Sequence, residues 1–174
     1  MRSLKHTIPK RALLNKGDGM YQKIIMMTLM AYSLASAAII YEPKIVTNDK
    51  NNLFIFGSAS CSYCETLKKE IETDGALKEA LGSFNVYYIS IDSNIEYTYV
   101  DAKGVEKPTS NITLKAEFGA RATPTIVFFS PSWQKVLQLP GYVDKKSMAK
   151  LSDYVGKEMY KTKDLQEYIK ENNL

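Results

Sequence analysis

Short apolar runs alternate with amphipathic stretches along this chain, and the alternation predicts strands and helices in turn. Leu53-Phe-Ile-Phe56 is an apolar run of strand length. Gly57-Ser-Ala-Ser60 makes a turn. From about Ser62 the spacing becomes helical, with Leu67 and Ile71 on one face and Glu65, Lys68, Lys69 and Glu72 mostly on another. Thr73-Asp-Gly75 interrupts this helix, and Ala76-Leu-Lys-Glu-Ala-Leu81 continues it to Gly82. Phe84-Asn-Val-Tyr-Tyr-Ile-Ser-Ile91 reads as a second strand ending at Asp92.

Residues 93–110 are polar and irregular, and Tyr97-Thr-Tyr-Val100 with a Lys103-Gly104 turn predicts a small hairpin there. Asn111 is the expected N-cap of a short helix through Phe118, stopped by Gly119. Thr125-Ile-Val-Phe-Phe129 and Lys135-Val-Leu-Gln-Leu139 are two strands joined across Ser130-Pro-Ser-Trp133. After the Pro140-Gly141 break, Asp144 caps a helix expected to reach about Tyr160, and Lys163 to Asn172 forms a last helix. Ahead of these elements, Ile39-Ile-Tyr-Glu-Pro-Lys-Ile-Val46 is loosely extended and Asn48 to Asn52 is a polar turn. The order implies an α/β fold with a central mixed β-sheet flanked by helices. Its first two major strands are parallel across a crossover helix, and its last two are antiparallel.

At 174 residues and 45% hydrophobic, the chain can bury one good core. The net charge of +4 suggests nucleic acid until it is located. Residues 1–37 hold Arg2, Lys5, Lys10, Arg11, Lys16 and Lys23 against Asp18 alone, so the remainder carries a net −1. A nucleic-acid partner loses its main argument. The basic stretch leads instead into Ile24-Ile-Met-Met-Thr-Leu-Met-Ala-Tyr-Ser-Leu-Ala35 and the small residues of Ala35-Ser-Ala37, the layout of a signal peptide cleaved after Ala37. Met20 is an alternative start that gives a shorter basic segment. The apolar stretch is shorter than the roughly 20 residues a membrane-spanning helix needs, so cleavage is favoured over an anchor. Residues 1–37 are thus read as the signal and 38–174 as the domain, exported to the periplasm where disulfides persist.

Cys61-Ser-Tyr-Cys64 is the only cysteine pair. It lies where a strand turns into a helix, so Cys61 meets the free N–H groups and dipole of a helix N-terminus, which favour a thiolate. Such a thiolate attacks disulfides, and a second thiol three residues on can resolve the product. A zinc site needs four ligands and the only histidine, His6, is in the signal, so no metal is expected. Covalent haem attachment wants a histidine where Glu65 stands. A structural disulfide closing so short a loop would be a poor staple. Pro124, within Ala122-Thr123-Pro124-Thr125, precedes a buried strand. That is an ordinary place for proline, or a cis bond that exposes the preceding backbone to an extended substrate. Trp133, Tyr97 and Tyr99 are read as packing residues and not as a recognition surface, and the lysine-rich C-terminal helix as a solvated face.

The strand before the cysteine pair, Ser90-Ile-Asp92, Glu117-Phe-Gly-Ala-Arg-Ala-Thr-Pro-Thr-Ile-Val-Phe-Phe129 and Leu139-Pro-Gly141 together resemble the thioredoxin superfamily over roughly residues 45–160. Within it the chain looks most like exported thioredoxin-related proteins of the SoxW type, which also carry Tyr before the second cysteine and an insertion like that near 93–110. The resemblance implies a thioredoxin fold and a thiol–disulfide oxidoreductase. It makes Cys61 the nucleophile, Cys64 the resolving thiol, and Thr123, Pro124 and Tyr63 the substrate groove, with Thr123–Pro124 cis. Clients are disulfide-bearing proteins, a membrane thiol–disulfide electron carrier restores the dithiol, no cofactor is needed, and the protein is a monomer. Disulfide oxidase or isomerase chemistry, and a non-enzymatic binding module with a structural disulfide, are the alternatives. The chain departs from cytoplasmic thioredoxin at Ile55, where an acid is usual, and at Tyr88, where a lysine often faces that acid. Cys64 therefore lacks the buried acid that would relay its proton.

Overall fold

The computed structural model describes residues 37–174 apart from 47 and 102. Residues 1–36 of the expected signal segment, with the alternative start at Met20, lie outside the described residues, which begin at Ala37. The elements are β1 (Ile39–Ile40), β2 (Lys44–Val46), β3 (Asn51–Gly57), α1 (Ser62–Thr73), α2 (Gly75–Ala80) and β4 (Phe84–Ser90). They continue with β5 (Glu96–Val100), β6 (Glu106–Ser110), α3 (Asn111–Glu117), β7 (Thr125–Phe129), β8 (Lys135–Pro140), α4 (Lys145–Gly156) and α5 (Leu165–Asn172). A central sheet has the order β1-β4-β3-β7-β8. Strands β1, β4 and β3 are parallel, whereas β7 runs antiparallel to β3 and β8 antiparallel to β7. The mixed sheet is the one the element order implies.

Every residue of β3 is buried. Successive side chains leave a strand on opposite faces, so Leu53 and Ile55 join Val86, Ile126, Phe128 and the α1 residues Cys64, Leu67 and Ile71. Phe54 and Phe56 join Tyr87, Ile89, Val127, Phe129 and Leu114 on the other face. A strand covered on both faces must be apolar throughout, which is why residues 53–56 read as an unbroken run. The strand also extends back to Asn51 and Asn52, poor strand formers. Asn52 is fully buried, yet its Oδ1 accepts from Asn85 Nδ2 at 3.0 Å and its Nδ2 donates to the Lys50 carbonyl.

Asp74 makes the break between α1 and α2. Its amide closes α1 on the Glu70 carbonyl at 2.9 Å, and its carboxylate accepts from the Leu77 amide at 3.0 Å to start α2. The polar segment 93–110 is more ordered than its composition suggests. β5 and β6 form the expected hairpin, and β2 adds to β5 in parallel, giving a second sheet of order β2-β5-β6. Ser110 caps α3, accepting from the Thr113 amide at 3.1 Å, so the expected cap at Asn111 is one residue late. Asn111 serves the insertion instead. It is 1% exposed, its Oδ1 accepts from the Ile95 and Ile112 amides, and its Nδ2 donates to the Ser90 and Ser93 carbonyls.

The helix expected to reach Tyr160 stops at Gly156. Glu158 adopts a left-handed conformation at φ 54°, and Met159–Lys161 form one 3-10 turn. Tyr97 is buried, and Trp133 packs its ring against Phe54, Tyr99 and Phe129, with centroids 5.3–5.7 Å away. Tyr97 belongs to the core and the partly buried Tyr99 and Trp133 pack against it, the packing role their pattern suggested.

Candidate active site

Sheet register gathers the site before any side chain is considered. Gly57, the last residue of β3, lies opposite Ser90 of β4, and Phe56 lies opposite Thr125 of β7, which in turn lies opposite Pro140 of β8. The turns that follow β3, β4 and β8 and precede β7 therefore emerge at one end of the sheet. They carry Cys61, Asp92, Tyr142 and Thr123-Pro124 respectively.

The turn after β3 is held from its neighbour. Ile91 donates its amide to the Gly57 carbonyl at 2.9 Å, and the Ala59 amide donates to Asp92 Oδ2 at 2.6 Å. The Cys61 amide closes the turn on the Ser58 carbonyl at 3.2 Å. Cys61 then takes extended backbone angles and becomes the N-cap of α1, its Sγ accepting from the Cys64 amide at 3.1 Å. A sulfur in this place occupies the position where a capping oxygen usually accepts, and partial positive charge from the helix end falls on it. A disulfide joins Cys61 and Cys64, whose Cα atoms are 5.2 Å apart. Cys61 is partly exposed, while Cys64 is fully buried among Ile55, Leu67 and Ile126.

The Thr123–Pro124 bond is cis. Pro124 is buried and Thr123 partly so, while Arg121 and Ala122 before them are exposed. The Thr125 hydroxyl donates to the Ala122 carbonyl at 2.6 Å, and the Gly141 amide donates to the Pro124 carbonyl at 2.7 Å. Gly141 has φ 99°, a conformation that favours glycine. Register places this turn at the same sheet end as the sulfurs.

Tyr63, between the cysteines, is 60% exposed. Its ring stacks on Tyr142, with centroids 5.4 Å apart and planes 24° from parallel. The Tyr142 hydroxyl donates to both Glu70 carboxylate oxygens at 3.0 Å. Desolvation first, and this carboxylate second, push the Tyr142 phenol up to about 12. Sequence reading singled out neither Tyr142 nor Glu70. The available signals were the Pro140-Gly141 break immediately before Tyr142 and the α1 position of Glu70 two turns beyond Tyr63. Asp92 enters the sequence reading as a strand end and as part of Ser90-Ile-Asp92 in the family resemblance, with no role assigned to its carboxylate.

Beneath the turn, Ile55 and Tyr88 face each other across β3 and β4, as their alignment suggested. A Cβ on Gly57 would stand 2.3 Å from the Tyr88 hydroxyl and 2.7 Å from its Cζ, so the phenol occupies the space the glycine leaves. Tyr88 packs against Tyr41 at 5.8 Å between centroids, and Lys68 Nζ sits 4.9 Å from its ring centre. Lys68 also pairs with Glu65, a bond that raises the lysine above its ordinary value. Desolvation raises the Tyr88 phenol as well. Among the described residues no carboxylate joins the buried cluster around Cys64, and Tyr88 brings the nearest thing to an acid into it. No group of three or more His, Cys, Asp or Glu among the described residues is placed to hold a metal ion.

A profile of the Thioredoxin-like domain matches residues 43–156, more than half of the chain. The chain belongs to the thioredoxin-like family. A thioredoxin-fold protein from Helicobacter pylori is 29% identical and superposes with a TM-score of 0.67, covering 75% of this chain and 84% of that one. An uncharacterised thioredoxin-like protein from Clostridium perfringens is 21% identical, with a TM-score of 0.50 over 72% of this chain and 86% of that one. No curated protein matches the sequence. This is a thioredoxin-fold protein whose Cys61–Cys64 disulfide has CxxC spacing, an arrangement consistent with a thiol–disulfide oxidoreductase.

Proposed function

We propose that this protein reduces disulfides in client proteins of the periplasm, in the manner of SoxW-type thioredoxins. The observation that carries the proposal is the asymmetry of the pair: Cys61 is a partly exposed helix cap, and Cys64 is buried behind it. In the reduced protein the Cys61 thiolate attacks a client disulfide, forming a mixed disulfide and releasing one client thiolate, which takes a proton. Cys64 then loses its proton and attacks the Cys61 sulfur. The second client thiolate departs, leaving the client reduced by two electrons and Cys61–Cys64 oxidised. Thr123 offers backbone to an extended client segment, and Tyr63 forms a wall beside the sulfurs. A membrane thiol–disulfide carrier returns the two electrons. The protein works as a monomer, without cofactor, metal or nucleic acid, after cleavage leaves Ala38 at its N-terminus.

The test is a trap. Cys64→Ser should hold client proteins on Cys61 as mixed disulfides released by dithiothreitol, whereas Cys61→Ser should hold none. Recovery from a periplasmic fraction, with mass spectrometry placing the N-terminus at Ala38, would support the location. Equal trapping by both variants would remove the roles assigned to the two sulfurs.

A further inference from the structure

The exposed Tyr63 side chain is not left to rotate freely. One face of its ring lies on Tyr142, and Tyr142 is gripped by Glu70 through two 3.0 Å contacts to one carboxylate. The three residues come from different places. Tyr63 sits in the first turn of α1, Glu70 two turns further along the same helix, and Tyr142 in the loop after β8. That loop is tied at Gly141 to the Pro124 carbonyl at 2.7 Å, so the stack is anchored to the turn carrying Thr123. Most exposed tyrosines sample several rotamers, and fixing one costs conformational entropy. Here the ordering is done before any client arrives.

We propose that Tyr142 and Glu70 are positioning residues that hold Tyr63 as a flat aromatic shelf beside Cys61, and that the shelf favours client disulfides flanked by an aromatic side chain. This rests on the thiol–disulfide reading above. A client ring next to the half-cystine would lie against the outward part of Tyr63, in the offset or edge-to-face contacts that aromatic pairs prefer. Glu70 does not touch the client; it keeps Tyr142, and through it Tyr63, in place. The expected selectivity is roughly three- to tenfold, the size of one aromatic pair converted to a ratio of rate constants.

Two disulfide peptides identical except for Phe or Ser beside one cysteine test this, with the reduced full-length chain as catalyst and dithiothreitol-corrected initial rates. The native protein should favour the Phe peptide in kcat/KM, with the difference carried by KM. In Tyr142→Ala and Glu70→Ala the ratio of the two peptides should fall toward one. Glu70→Gln, which still accepts a hydrogen bond from Tyr142, should keep most of it. A change that merely loosened the fold would slow both peptides together and leave their ratio intact, and that result would overturn the proposal. So would a native ratio of one. If the native protein reduces neither peptide nor bis(2-hydroxyethyl) disulfide, the thiol–disulfide reading itself fails and the shelf goes with it.

Discussion

Gly57 shows how a single absent side chain shapes the site. The Tyr88 phenol fills the space over it, and the ring is braced by Tyr41 and by Lys68, so it has little room to retreat. Gly57→Ala should destabilise the protein by about 1–3 kcal/mol, the usual cost of overpacking, and lower its melting temperature. Gly57→Ala combined with Tyr88→Leu should recover part of that loss. A Gly57→Ala protein that melts with the parent would mean the ring moves aside freely. At this scale the sequence was partly legible. Cys61, Cys64 and the Thr123–Pro124 turn could be read from local pattern, because cap, turn and strand start are all defined by near neighbours. Tyr142, Glu70 and the carboxylate of Asp92 could not, because their partners lie 72 and 33 residues away in the chain and meet them only through the sheet.

The elements of the site depend on caps and on one buried amide. Asp144 starts α4 with bonds to Lys146 and Ser147, and Asp74 starts α2 while pairing with Lys145. Hydrogen bonds from Ser147 hold the Asp144 carboxyl below its ordinary value; the Leu77 amide and then Lys145 do so for Asp74. Both carboxylates thus contribute stability that is fully present above their ordinary value near 4 and lost as pH falls through their lowered folded values. The urea midpoint should hold steady from pH 7 to about 5 and decline below about 4. Asp144→Asn should make that decline shallower, and an unchanged slope would contradict the assignment. Asn111 carries a larger load, since it satisfies two amides and two carbonyls at the root of the insertion. Asn111→Ala should cost about 2–4 kcal/mol, because buried polar groups lose their partners together. Hydrogen exchange should localise the loss to β5 and β6. The 93–110 hairpin was visible from its turn, but the third strand was not. β2 is three residues long and pairs with β5 in parallel, a non-local contact that no short window contains.

The molecule as a whole places one partly exposed and one buried sulfur at the end of a mixed sheet, with the partly exposed Thr123 and its turn at the same end. The fold was the most legible level of all. Unbroken apolar runs at 53–56 and 125–129 announce strands buried on both faces, and the amphipathic stretch after Cys64 announces the helix that covers one of them. The direction of electron flow is a property of the relative stabilities of the oxidised and reduced forms, which pattern does not encode. The reduction potential of the Cys61–Cys64 pair, measured by equilibration with glutathione or dithiothreitol, is therefore the decisive number. A reductase of client disulfides should sit near about −270 mV, in the thioredoxin range. A value near about −180 to −120 mV would make the protein an oxidant or isomerase, and one below about −300 mV would make the bridge structural; either would contradict the reducing role.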